Sequence, residues 1–485
     1  WPGCPREAFR DGGTATSCFW TARGVGATFL CVVLLVLCAE GAWPHEFVVR
    51  GKALQFHFVA SQLGNLTFQL DAMAGLSQAD GAAYKSLWKT DLRWDREDNI
   101  QLERWRATRT RQRAEAPAPT PRVIWPPNYA AFYGAEFRLD QNVRIAGFQA
   151  KDLRDYEKRL RKLLPTDDAA VLASVVKHFE ARMEEFWLRE AMVMTEPHAR
   201  DFAALVRERE VLPLTEELMR FVEPALPKRH HVWFYLIAHP KRFGEATMAT
   251  QMQNHAPVEF TEDEKASTRL SVILHELVHH FYDSAPFAKH SNLIGEFDRA
   301  SPAWRMAAYS YLNEAVATAA QILIERRLRP KADFDAWVAN GRSVYSQPWI
   351  AALGKATWPL LEESLRERRT LFDGFAARYL QAVSEGLGER VSHPHFLLAS
   401  RVVLFGDESL RPAYRMFRER VPSILHAGGL ESLHQYSMLP VVLLTLNGER
   451  ASWERRIGER AVTVLSGATA IEVEQAVERF SLSPF

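Results

Sequence analysis

The stretch SVILHELVHHFYD, residues 271–283, contains the residue types of a metal-dependent hydrolytic site. Two histidines, His275 and His279, stand four positions apart, and Glu276 directly follows the first. In a helix, residues four apart project from one face, so two imidazole nitrogens could meet one zinc ion. Glu276 is rotated by about 100° around the helix and could reach a water molecule on the metal without becoming a ligand.

A buried helix without metal explains the same short pattern. Its two histidines would then donate hydrogen bonds to backbone carbonyls, and its apolar side would pack into the core. Residues of that apolar side are Leu270, Ile273, Leu274, Leu277 and Phe281. A third ligand is needed to choose between these interpretations, and Tyr282 and Ala285 offer none directly downstream.

Glu314 is the best candidate for the third ligand. It lies in YLNEAVATAA, residues 311–320, among small apolar residues that would let this helix pack closely against another. An unpaired carboxylate at such a position would be costly to desolvate, and coordination of a cation removes that cost. The alternative is that Glu314 faces solvent.

HELVH followed by a second helix with the pattern NE-A-x-A resembles the gluzincins, the group of zinc metallopeptidases that contains thermolysin and the zinc aminopeptidases. The resemblance implies that His275, His279 and Glu314 bind Zn²⁺ and that Glu276 is the general base in peptide hydrolysis. It also implies that a strand within 246–260 lines the cleft and binds substrate backbone by strand addition. The sequence TQMQNHAP stands where an aminopeptidase would have Gly-x-Met-Glu-Asn, so recognition of a free amino terminus is not predicted.

Peptide hydrolysis would also need a donor for the developing oxyanion, outside the two zinc helices. The candidates are His393, His395 and Tyr436, although an ordinary residue between helices is the simpler interpretation of each. Thr318, four residues after Glu314, and Asp283, four after His279, are candidates for orienting the imidazoles.

Two further histidines lie close to the motif without fitting the ligand face. His255 is predicted to line the cleft or occupy a turn, and His280 to pack or cap the helix.

The pattern of elements indicates a mostly α (α+β) protein, with a gluzincin-like core of a small β-sheet and two zinc-binding helices between helical flanks. The predicted divisions are a non-mature leader at 1–41, a mostly helical region at 42–225, the zinc-binding core at 226–330 and a helical region at 331–485.

Residues 45–110 are predicted to be mostly helical, because Leu54, Phe58 and Leu66 recur at near-helical spacing. A proline-rich loop is expected at 112–128, and helices at 150–223, with an aspartate cap opening the segment DDAAVLASVV. The aromatic and β-branched run at 231–238 predicts a strand, and 246–260 a second, edge strand.

The zinc helix is predicted to begin at a capping box formed by Thr261 and Glu264, and to end near Tyr282, before Pro286. A long helix at 301–328 should carry Pro302 at its first position. Everything from 331 to the end is predicted to be helical with short turns.

The apolar run at 25–39 follows Arg23 and precedes small residues, which is typical of a secretory signal cleaved before Ala42. Fifteen residues are too few for a comfortable membrane span, which needs about 20. A lipid anchor at Cys38 and a buried helix or short anchor are the alternatives. The protein is therefore expected to be exported, whether periplasmic, in the cell envelope or secreted, with no stable span in the mature chain.

All four cysteines, Cys4, Cys18, Cys31 and Cys38, lie in this leader, which leaves no thiolate metal site in the main body. Sixty basic against 59 acidic residues give a net charge of +1, so no nucleic-acid partner is predicted.

The predicted function is that of a zinc metallopeptidase with peptide or protein substrates. A helical binding protein that retains a zinc-peptidase-like fold without efficient catalysis is the alternative, and a helical protein without metal is a third possibility.

Overall fold

Helices and two small sheets make up the part of the chain that the computed structural model describes. It describes residues 45–481 except 78, 116–134, 241–248, 303, 346–347, 393–395, 397–401, 406, 421–425, 429–440 and 458–460. The predicted mostly α (α+β) class is confirmed.

The first sheet has the strand order β1 (His45–Arg50), β2 (Leu54–Ala60), β3 (His230–Ala238) and β4 (His255–Phe260). Strand β1 is antiparallel to β2, while β2, β3 and β4 run parallel. The prediction of helix at the start of 45–110 is therefore wrong for β1 and β2. The buried side chains of Leu54, Phe56 and Phe58 alternate with period two, and counting only Leu54 and Phe58 imitates a helical spacing of four.

The strand predicted at 231–238 is confirmed as β3. Of the segment 246–260, residues 255–260 form β4 and 246–248 lie outside the described residues. Ala249 and Met252 turn back onto β4 as isolated antiparallel bridges. The amides of Thr250 and Met252 donate to the carbonyls of Pro257 and His255. At these positions the outer edge of β4 is already paired, so strand addition by a substrate is not supported there.

The helical predictions for the rest of 45–110 and for 150–223 are confirmed. The helices are α1 (Gln62–Met73), α2 (Gly81–Asp91), α3 (Arg96–Glu115), α4 (Ala135–Gln149), α5 (Leu153–Leu160), α6 (Thr166–Phe186), α7 (Met192–Glu208) and α8 (Val211–Val222). A π-helical turn, Trp187–Ala191, joins α6 to α7. The aspartate cap is wrong, because Pro165 precedes α6 without a side-chain hydrogen bond. The loop expected at 112–128 begins after Glu115, and its remainder lies outside the described residues.

The zinc helix of the prediction is α9 (Ala266–Asp283), which ends before Pro286 as expected. It begins four residues later than the capping box suggests, with Lys265 in place of Thr261 at the N-cap. The amide of Thr261 does donate to Oε2 of Glu264, at 2.9 Å, but this bond closes the turn that precedes the helix. After α10 (Phe287–Arg299), the long helix α11 (Arg305–Leu328) also begins later than predicted, beyond Pro302.

Helix α11 packs against α9 on one side and against α14 on another. The approach to α14 depends on Gly354, since a Cβ there would lie 2.3 Å from Cγ2 of Thr318. The helices of this part are α12 (Lys331–Ala339), α13 (Gly341–Val344), α14 (Pro348–Arg366) and α15 (Phe375–Leu387), followed by a 3₁₀ turn, Gly388–Ser392.

The prediction of helix throughout 331–485 is wrong for four segments between residues 402 and 467, which are strands. A second, all-parallel sheet has the order β6 (His426–Gly428), β5 (Val402–Phe405), β7 (Val441–Leu446) and β8 (Ala461–Gly467). It is accompanied by a 3₁₀ turn, Glu408–Leu410, and by α16 (Arg411–Arg420), α17 (Asn447–Ile457) and α18 (Ala470–Ser481). Strands of parallel sheets are short, continuous apolar runs, and periodicity alone does not separate such runs from buried helix.

The described residues between 45 and 481 belong to one compact unit. Strands β2 and β3 pair across residue 226, where the sequence suggested a division, and the boundaries at 226 and 331 stay predictions. Among the described residues, no helix is long and apolar enough to cross a membrane.

Candidate metal centre

Helix α9 directs the side chains of His275 and His279 toward one point. Its apolar side chains, including Ile273, Leu274 and Leu277, are buried in the main core and fix the rotation of the helix. The two histidines therefore emerge one turn apart on the remaining side, with their Nε2 atoms 3.1 Å apart.

Helix α11 brings Glu314 to the same point. Its Oε2 atom lies 3.4 Å from Nε2 of His275, and its Oε1 atom lies 3.6 Å from Nε2 of His279. The ligand atoms of the three residues all lie within 4.8 Å of one another. The structure thus brings together the three predicted ligands, which we call the metal cluster.

The charges in the metal cluster support one another. Burial would raise the pKa of Glu314, but the two imidazoles and a hydrogen bond from Tyr345 lower it to about 2. Burial would likewise lower the pKa of His279, but the carboxylates of Glu314 and Glu276 raise it. Glu314 is therefore a carboxylate at neutral pH, which is the form that binds a metal ion.

Glu276 lies beside the metal cluster without belonging to it. Burial raises the pKa of its carboxyl, and the repulsion of Glu314 adds to that effect, while the two imidazoles partly oppose it. Its side chain is half-buried. A carboxylate with a raised pKa accepts a proton more readily at neutral pH than an ordinary glutamate does.

Asn313 is a residue of the site that the sequence reasoning missed. Its Oδ1 atom accepts a hydrogen bond from Nδ1 of His279 at 2.9 Å. With the proton held on Nδ1, Nε2 of His279 keeps its lone pair toward His275 and Glu314, as a metal-binding imidazole requires. The signal was available, because Asn313 directly precedes Glu314 in the NE pattern.

Tyr345, which directly follows α13, is the second missed residue. Its hydroxyl donates to the carboxylate of Glu314, and its ring centroid lies 5.7 Å from that of His275. Nothing in the local sequence indicated this position. The predicted oxyanion donors, His393, His395 and Tyr436, lie outside the described residues.

Of the two residues proposed to orient the imidazoles, Thr318 does not form the predicted hydrogen bond. The hydroxyl of Thr318 is buried and bonds to no described residue, and its methyl group packs toward Gly354. Thr318 therefore serves helix packing. Asp283 acts on His279 through its charge, which helps to raise the imidazole pKa.

His255 lies on the first sheet near His57 and His231, and His280, on α9, lies against His230 of β3. We call these five residues the sheet histidine cluster. The Nδ1 atom of His255 accepts from the hydroxyl of Tyr235 at 2.8 Å, and its ring stacks on Trp233. The Nε2 atom of His280 lies 3.0 Å from Nε2 of His230. The packing role predicted for His280 agrees with this contact.

The donor set of the metal cluster fits a zinc ion. Two imidazole nitrogens and one carboxylate oxygen are the protein ligands of many catalytic zinc sites, which keep a fourth position for water or substrate. Oε2 of Glu314 is buried and accepts no hydrogen bond from the described residues, so a cation would satisfy it.

Within the described part of the chain, His275, His279 and Glu314 form the one group of three or more side chains that could hold a metal ion. No protein-family model matches the chain, and neither a curated protein nor a solved structure is significantly similar to it.

Proposed function

We propose that the protein is an exported zinc metallopeptidase that hydrolyses peptide bonds. The observation that carries this proposal is the convergence of His275, His279 and Glu314 from two helices, with the carboxyl of Glu276 beside them. A metal-free core histidine pair would not need a buried carboxylate opposite it, since a lone carboxylate is costly to bury.

The three ligands would hold the ion from one side. A bound zinc ion would supply Lewis acidity to the scissile carbonyl and to the attacking water. Glu276 would accept the proton of that water and deliver it to the departing amine, a role that the raised pKa of its carboxyl favours. The hydroxyl of Tyr345 would turn from Glu314 to the developing oxyanion, as a donor held close to the ligands.

Export is proposed on the sequence alone. The segment 25–41 has the layout of a cleavable secretory signal, and it lies outside the described residues. Cleavage before Ala42 would leave β1 close to the new amino terminus.

Glu276→Gln tests the assignment of the general base. The amide keeps the shape of the side chain but cannot take a proton, so we expect zinc content to stay unchanged and peptide turnover to fall by about 10²- to 10⁴-fold. Metal analysis and cleavage of a peptide library by the purified mature chain measure both quantities.

An unchanged turnover of a responsive peptide would remove Glu276 as the base. If the parent protein binds zinc tightly but cleaves no peptide in the library, the peptidase proposal fails and a zinc-containing binding protein replaces it.

A further inference from the structure

A cavity of about 440 Å³ lies in the amino-terminal helical part, remote in the fold from the metal cluster. Its walls come from α1, α3, α4 and α5, and from residues 250–252 and Pro257 at β4. This volume falls in the range of small-molecule sites, about 300–1,000 Å³.

The cavity and the metal cluster lie on opposite faces of the first sheet. In β4, Ala256 and Val258 are buried in the same core as α9. Side chains alternate along a strand, so Pro257, which lines the cavity, points to the other face. The cavity is therefore not a subsite of the proposed peptidase.

The charged groups in the cavity wall neutralise one another. Asp71 accepts from Nε1 of Trp105 at 2.9 Å and from Nε of Arg144 at 3.0 Å. Arg109 pairs with Asp140, and Asp140 also lies 3.3 Å from Arg144. Among the described residues of the wall, two carboxylates and two guanidinium groups leave no net charge for a charged ligand to meet.

Several polar atoms in the same wall lack a partner among the described residues. They are Nε of Arg109, the hydroxyl of Tyr156 and both amide atoms of Gln141. All three residues are at most 2% exposed. Burial raises the pKa of the Tyr156 hydroxyl, so it stays neutral and offers both a donor and an acceptor. Unpaired buried polar groups are costly, and several around one cavity indicate a molecule that satisfies them.

The apolar part of the wall is largely aromatic. Phe68, Trp105 and Phe148 line the space, and the rings of Phe68 and Phe148 lie 6.4 Å apart at a tilt of 47°. Such walls favour a flat ring by dispersion and edge-to-face contact.

We propose that this cavity binds a small, uncharged aromatic molecule that carries an amide group or an equivalent donor–acceptor pair. The ring would lie among Phe68, Trp105 and Phe148. The carbonyl oxygen of the ligand would accept from Nε of Arg109 or from the amide of Gln141, and its N–H would donate to Oε1 of Gln141 or to Tyr156. The mutual neutralisation of the wall charges disfavours anions and cations of the same shape.

Three probes with the same ring and different charge test the class of ligand: benzamide, benzoate and benzylamine. Ligand-observed NMR titrations on the full chain should show benzamide binding with a Kd of about 1 mM or tighter. Benzoate and benzylamine should bind at least about 10-fold more weakly, because neither charge finds a free counter-charge in the wall. Equal binding of the three probes, or no binding of benzamide, would overturn the proposal and leave a cavity filled by water.

Two variants test whether benzamide binds in the cavity. Gln141→Leu and Tyr156→Phe each remove unpaired polar atoms with little change of shape, and each should weaken benzamide binding by about 5- to 10-fold. Gln381→Leu, an exposed position on α15, is the matched control and should leave the affinity unchanged. An unchanged affinity in both cavity variants, with a native melting curve, would contradict the assignment.

Glu314→Ala in the same titration separates this inference from the proposed function. The variant removes a metal ligand on the other face of the sheet and should bind benzamide as the parent does. Loss of benzamide binding in Glu314→Ala would mean that the probe sits at the metal cluster instead.

Discussion

The two histidine groups of this protein share a close approach of imidazole nitrogens and differ in their acidic neighbours. The Nε2 atoms of His275 and His279 are 3.1 Å apart, and those of His230 and His280 are 3.0 Å apart. In the metal cluster, Glu314 lies against both Nε2 atoms. In the sheet histidine cluster the acidic contact is Glu46, which pairs with Nδ1 of His57 at a half-exposed position.

The difference appears in the pKa values. Burial lowers the pKa of His230 to about 4 and that of His255 to about 3, and neighbouring histidines add to the effect. For His279, the carboxylates of Glu314 and Glu276 outweigh burial and raise the pKa. Paired imidazoles alone are thus compatible with a neutral, stacked core, and the shared carboxylate distinguishes a metal cluster from it.

Glu314→Ala should have the largest effect on this distinction. Loss of the carboxylate removes a ligand and leaves two imidazoles resembling those of the sheet histidine cluster. We expect zinc affinity to fall by about 1,000-fold or more, beyond the 10- to 100-fold typical of an outer hydrogen-bond partner.

Metal content after dialysis measures the effect. Glu46→Ala, which removes the carboxylate from the sheet histidine cluster, is the matched control and should retain zinc. Full zinc retention in Glu314→Ala would exclude this residue from the ligand set.

The convergence of His275, His279 and Glu314 could be predicted from the sequence because its geometry is largely local. A spacing of four on one helix fixes the relation of His275 to His279 without knowledge of the rest of the fold. Glu314 was accessible through its unusual surroundings of alanines. Tyr345 was not, since it reaches Glu314 only after the chain has passed through α12 and α13.

The sheets were harder to predict because their strands pair with partners that are distant in the sequence. Strand β2 pairs with β3 at a separation of about 175 residues, as in the pairing of Leu54 with His230. The partner of each strand, and so the alternation of its buried side chains, is decided by that distant pairing. For the second sheet, strands with continuous apolar sequences, such as VVLLTL at 441–446, give no alternation that would distinguish them from buried helix.

Each cluster also has a tyrosine. Removing the two hydroxyls one at a time separates an effect on catalysis from an effect on stability. Tyr345 donates to Glu314, whereas Tyr235 donates to His255. Tyr345→Phe should retain zinc and lower kcat by about 10²- to 10³-fold, the usual loss for one oxyanion donor.

Tyr235→Phe should leave kcat unchanged and lower the free energy of unfolding by about 1 kcal/mol, because it leaves His255 unbonded. Steady-state kinetics and chemical denaturation distinguish the pair. Equal kcat values in Tyr345→Phe and the parent would show that Tyr345 is not the oxyanion donor and that another residue takes this role.

The sheet histidine cluster should make the protein sensitive to acid. His230 and His255 have folded-state pKa values of about 4 and about 3, below the unfolded value of about 6.5. Between these values the unfolded chain binds more protons, so stability falls as the pH drops below about 6.5. For the two residues together the loss is about 2 to 3 kcal/mol per pH unit.

Urea denaturation of the zinc-free protein between pH 7 and pH 5 measures this slope. His255→Gln should reduce the slope by about 1 kcal/mol per pH unit, the share of one imidazole. The raised pKa of His279 acts in the opposite direction and stabilises the fold at low pH. A slope that is the same in His255→Gln and the parent would show that this imidazole is already charged in the folded protein.

The smallest expected effect on zinc affinity comes from the asparagine next to each cluster. Asn313 accepts from Nδ1 of His279, whereas Nδ2 of Asn254 donates to the backbone carbonyl of His231. Asn313→Ala frees the ring of His279 to change tautomer, so zinc affinity should fall by about 10- to 100-fold while zinc still binds at saturating concentrations. Asn254→Ala should leave zinc affinity unchanged. A competition titration with a chelator resolves both values, and equal affinities in the two variants would mean that packing alone orients His279.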